Sequence, residues 1–194
     1  MSSTGQSHTP KPISVVLIGL RGSGKSTLGR RVATSMSVGF VDLDARTPGL
    51  LGAASAADAI NSHGLAAFRD AERAALESVL IGLTDGAEST RVVALGGGTP
   101  TAPGAAELLR AAQSRGTIRM VYLHAPPSVL RDRLSETDTE TRPSLTGENM
   151  LDEIETVYLQ RDAFYHELAD WVVESEGYDE HDLAERIVSF IKNI

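Results

Sequence analysis

The residues Gly19-Leu20-Arg21-Gly22-Ser23-Gly24-Lys25-Ser26, followed by Thr27, have the spacing of a phosphate cradle. They fit G-x-x-x-x-G-K-[ST], a pattern in which glycines let backbone N–H groups curl around an anion while the next helix adds its positive end. Lys25 is then placed to reach the β- and γ-phosphates of a nucleoside triphosphate, and the Ser26 hydroxyl to ligate Mg²⁺. Gly22, Ser23, Gly24 and Thr27 complete the cradle. An incidental glycine turn is the alternative, and a strand-like run before the loop with a helical one after it argues against that. The run Phe40-Val41-Asp42-Leu43-Asp44 supplies two acids at the carboxyl end of a second strand, the edge that faces ligands in an open parallel sheet. Strand alternation puts both carboxylates on one side, one to hold hydrated Mg²⁺ and the other to meet a substrate hydroxyl. Capping of the following helix is the plainer alternative, and the phosphate loop disfavours it.

A third strand, Val92–Leu95, runs into Gly96-Gly97-Gly98, where free N–H groups let a ligand approach the backbone. It lacks the terminal aspartate of a motor ATPase, which leaves Asp42 as the candidate metal acid. Arg69 and Glu72 stand three apart on one helix, so the glutamate can orient the guanidinium. Arg161 lies on the long penultimate helix, and Arg133 and Arg142 bracket a polar segment. Taken singly, each arginine reads as a solvated surface residue. An arginine carried in by a closing lid can neutralise charge on a transferring phosphoryl group. The five histidines have no metal-ligand spacing in sequence and receive no catalytic role.

Short β-branched runs at 13–18, 39–43, 91–95, 119–124 and 170–174 alternate with helical stretches at 25–36, 65–83, 104–115, 128–134, 150–168 and 179–194. Such alternation predicts βαβ units and a parallel sheet between helix layers. Residues 47–57 read as a loop leading into a short helix. Residues 135–149, polar and interrupted by Pro143, read as a mobile lid, since a loop of about fifteen residues in a compact domain is usually functional or disordered. The polar segment 1–12 reads as a disordered tail ahead of one domain spanning 13–194.

The chain has 194 residues, 41% of them hydrophobic and 23% charged, which suits one soluble domain with a full core. It has no cysteine, which excludes a disulfide scaffold, a thiolate zinc site and a cysteine nucleophile, and is compatible with a cytoplasmic home. A formal charge of −8 argues against a nucleic-acid partner, and no apolar run is long enough to span a bilayer. Any anionic ligand must meet a local cluster of cations. Fifteen arginines and three lysines make up the basic set, with Lys25 the one lysine away from the ends.

In order, GLRGSGKST, FVDLD, AFRDAE, ALGGG, TRPSL and QRDAFY resemble the shikimate kinases, over about Ile13 to Ile191. The resemblance implies a five-stranded parallel sheet of order 2-3-1-4-5 in a three-layer α/β/α P-loop kinase fold, with a lid between the fourth and fifth strands. It implies ATP and Mg²⁺ as cofactors and phosphorylation of the 3-hydroxyl of shikimate by a monomeric cytoplasmic enzyme. By position, Lys25 and Ser26 would hold ATP and Mg²⁺, with Asp42 meeting the ion through water. Asp44 would bind the ring hydroxyls and act as the candidate base. Arg69 and Arg161 would clamp the carboxylate, with Glu72 orienting Arg69, and Gly96, Gly97 and Gly98 would shape the ring pocket. Arg142 would be the lid arginine and Arg133 would flank adenine.

The chain departs from the family pattern at Leu65, where an acid is usual, at Ala45–Pro48, at Ser144, and at 175–178, which lack the usual arginine and proline. A kinase for gluconate or a nucleoside monophosphate would want a different acceptor constellation. A non-catalytic relative would be expected to lose Lys25 or the D-x-D pair. No guanine-reading N-K-x-D follows, which disfavours a regulatory GTPase.

Overall fold

β1 (Ser14–Ile18) is buried at every position, as a strand covered on both faces is, and four of its five residues are apolar. It is the central strand of a parallel sheet with the order β2 (Gly39–Asp42), β3 (Arg91–Ala94), β1, β4 (Ile118–His124), β5 (Trp171–Glu174). Val16 pairs with Val93 on one side and Met120 on the other. The expected order 2-3-1-4-5 is therefore the observed one. The computed structural model describes residues 13–84, 90–136 and 150–193. The candidate tail 1–12 lies outside the described residues, as do the candidate lid beyond Glu136 and Arg142 within it.

Alternate strand residues enter two separate cores, which is the three-layer arrangement seen from inside. Val15, Leu17, Val92, Val121 and Val173 pack with Leu28 and Val32 of α1 (Lys25–Met36) and with Leu183 and Ile187 of α7 (Glu180–Lys192). Val16, Ile18, Val93, Met120 and Tyr122 face the other way. They meet Leu76 and Leu80 of α3 (Ala56–Thr84), Leu109 of α4 (Ala105–Ser114), Leu130 of α5 (Pro127–Ser135) and Tyr165 of α6 (Met150–Leu168).

Two elements depart from the sequence expectation. Residues 47–57 do not form a simple loop, because α2 (Leu43–Leu50) begins directly after β2. Pro48 and Gly49 argue against a helix locally, yet Leu43 and Thr47 are buried, and the Thr47 hydroxyl donates to the Leu43 carbonyl at 2.8 Å. Burial outweighs weak propensity here. The strand consequently stops at Asp42, and alternation does not reach Asp44, which sits in the first turn of α2. The second departure is α3, which starts at Ala56 rather than Leu65. It passes through a break at Gly64, whose φ of 84° and ψ of 160° are non-helical. Its start is capped by Ser55, whose Oγ accepts the Asp58 N–H at 3.1 Å.

Candidate active site

The loop between β1 and α1 stands at the carboxyl end of the central strand, beside the point where the strand order reverses. Gly24 precedes α1 with φ 89°, a conformation that side chains resist and that lets the helix start abruptly, with no side-chain cap over its first N–H groups. Those groups and the positive end of the helix suit phosphate. Lys25, the first residue of α1, is buried, and its Nζ donates to the Leu20 carbonyl at 2.8 Å and to Ser23 Oγ at 3.3 Å. The ammonium is thus held inside the curl of the loop. Ser23 is buried with it, Gly22 takes φ 82°, and Ser26 and Thr27 lie on the more open side.

Asp42 fits a cation. It occupies the N-cap of α2, yet its side chain makes no capping hydrogen bond, so the plain capping alternative is not realised. Its Oδ1 is buried with no hydrogen-bond partner, and its Oδ2 lies 3.9 Å from Arg30 Nη2. A buried carboxylate oxygen without a donor is what a metal ion or its bound water would satisfy.

Beside this loop a single cleft collects Asp44, Arg69, Glu72, Gly97, Gly98 and Arg161. Arg69 Nη1 donates to Glu72 Oε2 at 2.7 Å, and the other carboxylate oxygen accepts Thr99 Oγ1 at 2.9 Å. Glu72 is buried, and that desolvation raises its pKa above the ordinary carboxylate value, against the opposing pull of the Arg69 guanidinium and the Thr99 hydroxyl. The carboxylate therefore fixes the guanidinium from behind and leaves its remaining N–H groups toward the cleft. On the facing wall, Arg161 Nη1 donates to the Gly97 carbonyl at 2.8 Å, and Tyr165 donates its hydroxyl to the same oxygen at 2.6 Å. Burial pushes the Tyr165 hydroxyl up to about 12, with Arg161 opposing, so it stays a donor at neutral pH. Two guanidinium groups across one small cleft suit a planar carboxylate. Asp44 offers an acceptor for hydroxyls.

Gly96 and Gly98 are dictated by this crowding. A Cβ at Gly98 would collide with the Arg69 guanidinium, and one at Gly96 would run into the Asp44 carboxylate and approach Glu72 Oε1 to 3.0 Å. Gly96 thus makes room for the acids, while Gly97 and Gly98 form the cleft wall itself.

Arg133 is placed elsewhere. Its Nη1 and Nη2 donate to Ser175 Oγ and the Ser175 carbonyl at 3.1 and 3.0 Å, tying α5 to the segment after β5. Arg133 does not line the cleft, although Leu130 and Leu134 of the same helix do. The sequence reading gave no binding role to Arg21, Ile60, Leu65, Phe68, Glu153, Ile154 or Val157, all of which line the cleft. Phe68 belongs to the A-F-R segment and Leu65 stands just before it, so both could have been found from it. Glu153 and Val157 come from a different stretch of α6, with no local signal to mark them.

The shikimate kinase family model matches residues 21–192. Shikimate kinase 2 of Photorhabdus laumondii subsp. laumondii is 32% identical over 182 residues, covering 92% of each chain. The shikimate kinase of Halorhodospira halophila is 36% identical over 185 residues, covering 95% of this chain and 97% of the relative. Among solved structures, a shikimate kinase from Acinetobacter baumannii in complex with shikimate superimposes with a TM-score of 0.80 at 26% identity, over 94% of both chains. A paired-arginine cleft beside a phosphate loop, on a sheet of this order and at this level of identity, makes the chain a member of the shikimate kinase family.

Proposed function

We propose that the chain phosphorylates the 3-hydroxyl of shikimate with ATP, giving shikimate 3-phosphate and ADP, a step towards chorismate and the aromatic amino acids. The observation that carries this reading is the meeting of Asp44, Arg69, Glu72 and Arg161 in one cleft next to the phosphate loop. When bound, ATP supplies the phosphoryl group and Mg²⁺ offsets the charge of its oxygens. Residues 22–27 would cradle the phosphates, Lys25 would neutralise charge at the transferring end, and Ser26 and Asp42 would hold the ion, Asp42 through water. Arg133 would lie beside the adenine.

Arg69 and Arg161 bind the shikimate carboxylate from opposite walls and so fix the ring's orientation. Glu72 keeps Arg69 aimed. Asp44 accepts the hydrogen of the reacting hydroxyl and can hold its proton as the oxygen attacks. Gly96, Gly97 and Gly98 let the ring lie against the backbone. Arg142, on a lid spanning 135–149, would complete the charge neutralisation as the site closes over one domain running from 13 to 194. The protein would work as a monomer in the cytoplasm. Among the described residues no helix is long and apolar enough to cross a membrane.

The test is release of ADP with Mg-ATP, comparing shikimate, gluconate and several nucleoside monophosphates. Turnover with shikimate alone is expected. Tight ATP binding without turnover on any acceptor would overturn the proposal in favour of a non-catalytic relative, and turnover on gluconate or a nucleotide would reassign the acceptor.

A further inference from the structure

Away from the cleft, β4, β5 and α6 bring together residues that no local sequence pattern joins. His124 ends β4, and Asp162 and His166 stand one turn apart on α6. His124 Nε2 and His166 Nε2 lie 3.6 and 3.5 Å from the same oxygen, Asp162 Oδ1. All three ligand atoms fall within 4.8 Å of one another. A tetrahedral ion with nitrogen and oxygen ligands at about 2.0–2.1 Å holds those atoms roughly 3.3–3.4 Å apart, which the two imidazole–carboxylate separations already approach.

The surroundings set the tautomer. His124 Nδ1 lies 2.5 Å from Glu174 Oε2 on the neighbouring strand, and a carboxylate can only accept. Nδ1 therefore carries the hydrogen, and Nε2 faces the cluster, 2.8 Å from the Tyr158 hydroxyl. A carboxylate holding the far side of a ligating imidazole is the usual support of a metal-bound histidine. Asp162 Oδ1 is in turn fixed by the Tyr122 hydroxyl at 2.9 Å. The side chain of His166 is 44% exposed, which gives an ion a way in from solvent.

We propose that His124, Asp162 and His166 form a site for a divalent transition ion of the Zn²⁺ class, with water or the Tyr158 oxygen in the fourth position. Two imidazoles and one carboxylate favour Zn²⁺, Co²⁺ or Ni²⁺ over Mg²⁺, which prefers six oxygens. None of the three residues lines the Arg69–Arg161 cleft, and none is among Ser26 and Asp42, the residues assigned to the nucleotide's magnesium. Its position joins α6, the helix that carries Arg161, to the carboxyl edge of β4 and β5.

The experiment titrates Zn²⁺ calorimetrically into chelator-stripped, nucleotide-free protein with Mg²⁺ in excess, then repeats the titration with Co²⁺ while recording the visible spectrum. One equivalent should bind, with the intense Co²⁺ bands of a four-coordinate site. His166→Ala and Asp162→Asn should each weaken binding at least about tenfold. His181→Ala is the control, because His181 is exposed and pairs with Glu185 outside the cluster. Absence of binding, or binding unchanged in His166→Ala and Asp162→Asn, or loss in His181→Ala, would each overturn the site. Circular dichroism melts of the variants separate loss of ligand from loss of fold.

Discussion

At the scale of single residues, the cleft works by pairing each charge with a group that aims it. Arg161 is held by a backbone oxygen and Arg69 by a buried carboxylate, so both present a fixed face to a ligand. Arg161→Ala should raise the shikimate KM by about a hundredfold, the loss of a charged hydrogen-bonded contact of roughly 3 kcal/mol, with the ATP KM changed much less. Steady-state kinetics in both substrates checks this, and an unchanged shikimate KM removes Arg161 from the carboxylate site. Gly98→Ala should act through Arg69, since the added methyl must displace the guanidinium. It should cost affinity for shikimate while leaving the phosphate loop intact. Lys25→Met should abolish turnover with an unaltered circular dichroism spectrum, because the ammonium supplies charge to the nucleotide rather than to the core.

Secondary-structure elements carry the site through their ends. β1 delivers the phosphate loop, β2 delivers Asp42 and α2 delivers Asp44, and α3 and α6 bring the two arginines to one cleft. The Ser55 cap fixes where α3 begins, so Ser55→Ala should lower unfolding free energy by about 1 kcal/mol, read from urea denaturation. The strands were legible because parallel strands buried on both faces need apolar runs, and β1 and β3 have them at Val15–Ile18 and Val92–Ala94. The helix start at Ala56 was also written in the sequence, as a serine three residues before an aspartate, but His63-Gly64 obscured the continuation. α2 was not legible, because its helix is imposed by burial of Leu43 and Thr47 against a local Pro48-Gly49. Among the candidate residues, the Arg69–Glu72 pair was legible from its spacing, whereas its meeting with Asp44 and Arg161 was expected only from the resemblance to the shikimate kinases. The apolar wall from Ile60, Ile154 and Val157 was not, since only the fold brings α3 and α6 to one cleft. The His124–Asp162–His166 cluster was invisible for the same reason: its members meet only after β4 and α6 have packed.

For the whole molecule, a buried acid ties stability to pH. Glu72 has a raised pKa, so between its ordinary value of 4.5 and that raised value the folded protein binds more protons than the unfolded chain. Its contribution is fully present below 4.5 and is lost as pH rises through the folded pKa. Glu72→Gln has no proton to lose. The stability of this variant relative to the parent should therefore improve from pH 4.5 to pH 8, measured by denaturant midpoints, while its shikimate KM worsens because Arg69 loses its charged anchor. A relative stability that stays flat or drifts the other way would show that Glu72 does not titrate as an isolated buried acid.

The double acceptance at the Gly97 oxygen divides the cleft into a part that evolution can edit and a part that it cannot. Arg161 and Tyr165 both hang on a carbonyl that no point mutation removes, and the glycine that bears it has no side chain to exchange. New acceptors would have to be reached through the opposite wall, where Ile60, Leu65 and Phe68 present replaceable apolar side chains. A library confined to those three positions should shift which ring is accepted while preserving the demand for a carboxylate. Randomising the glycine turn should yield mostly inactive protein.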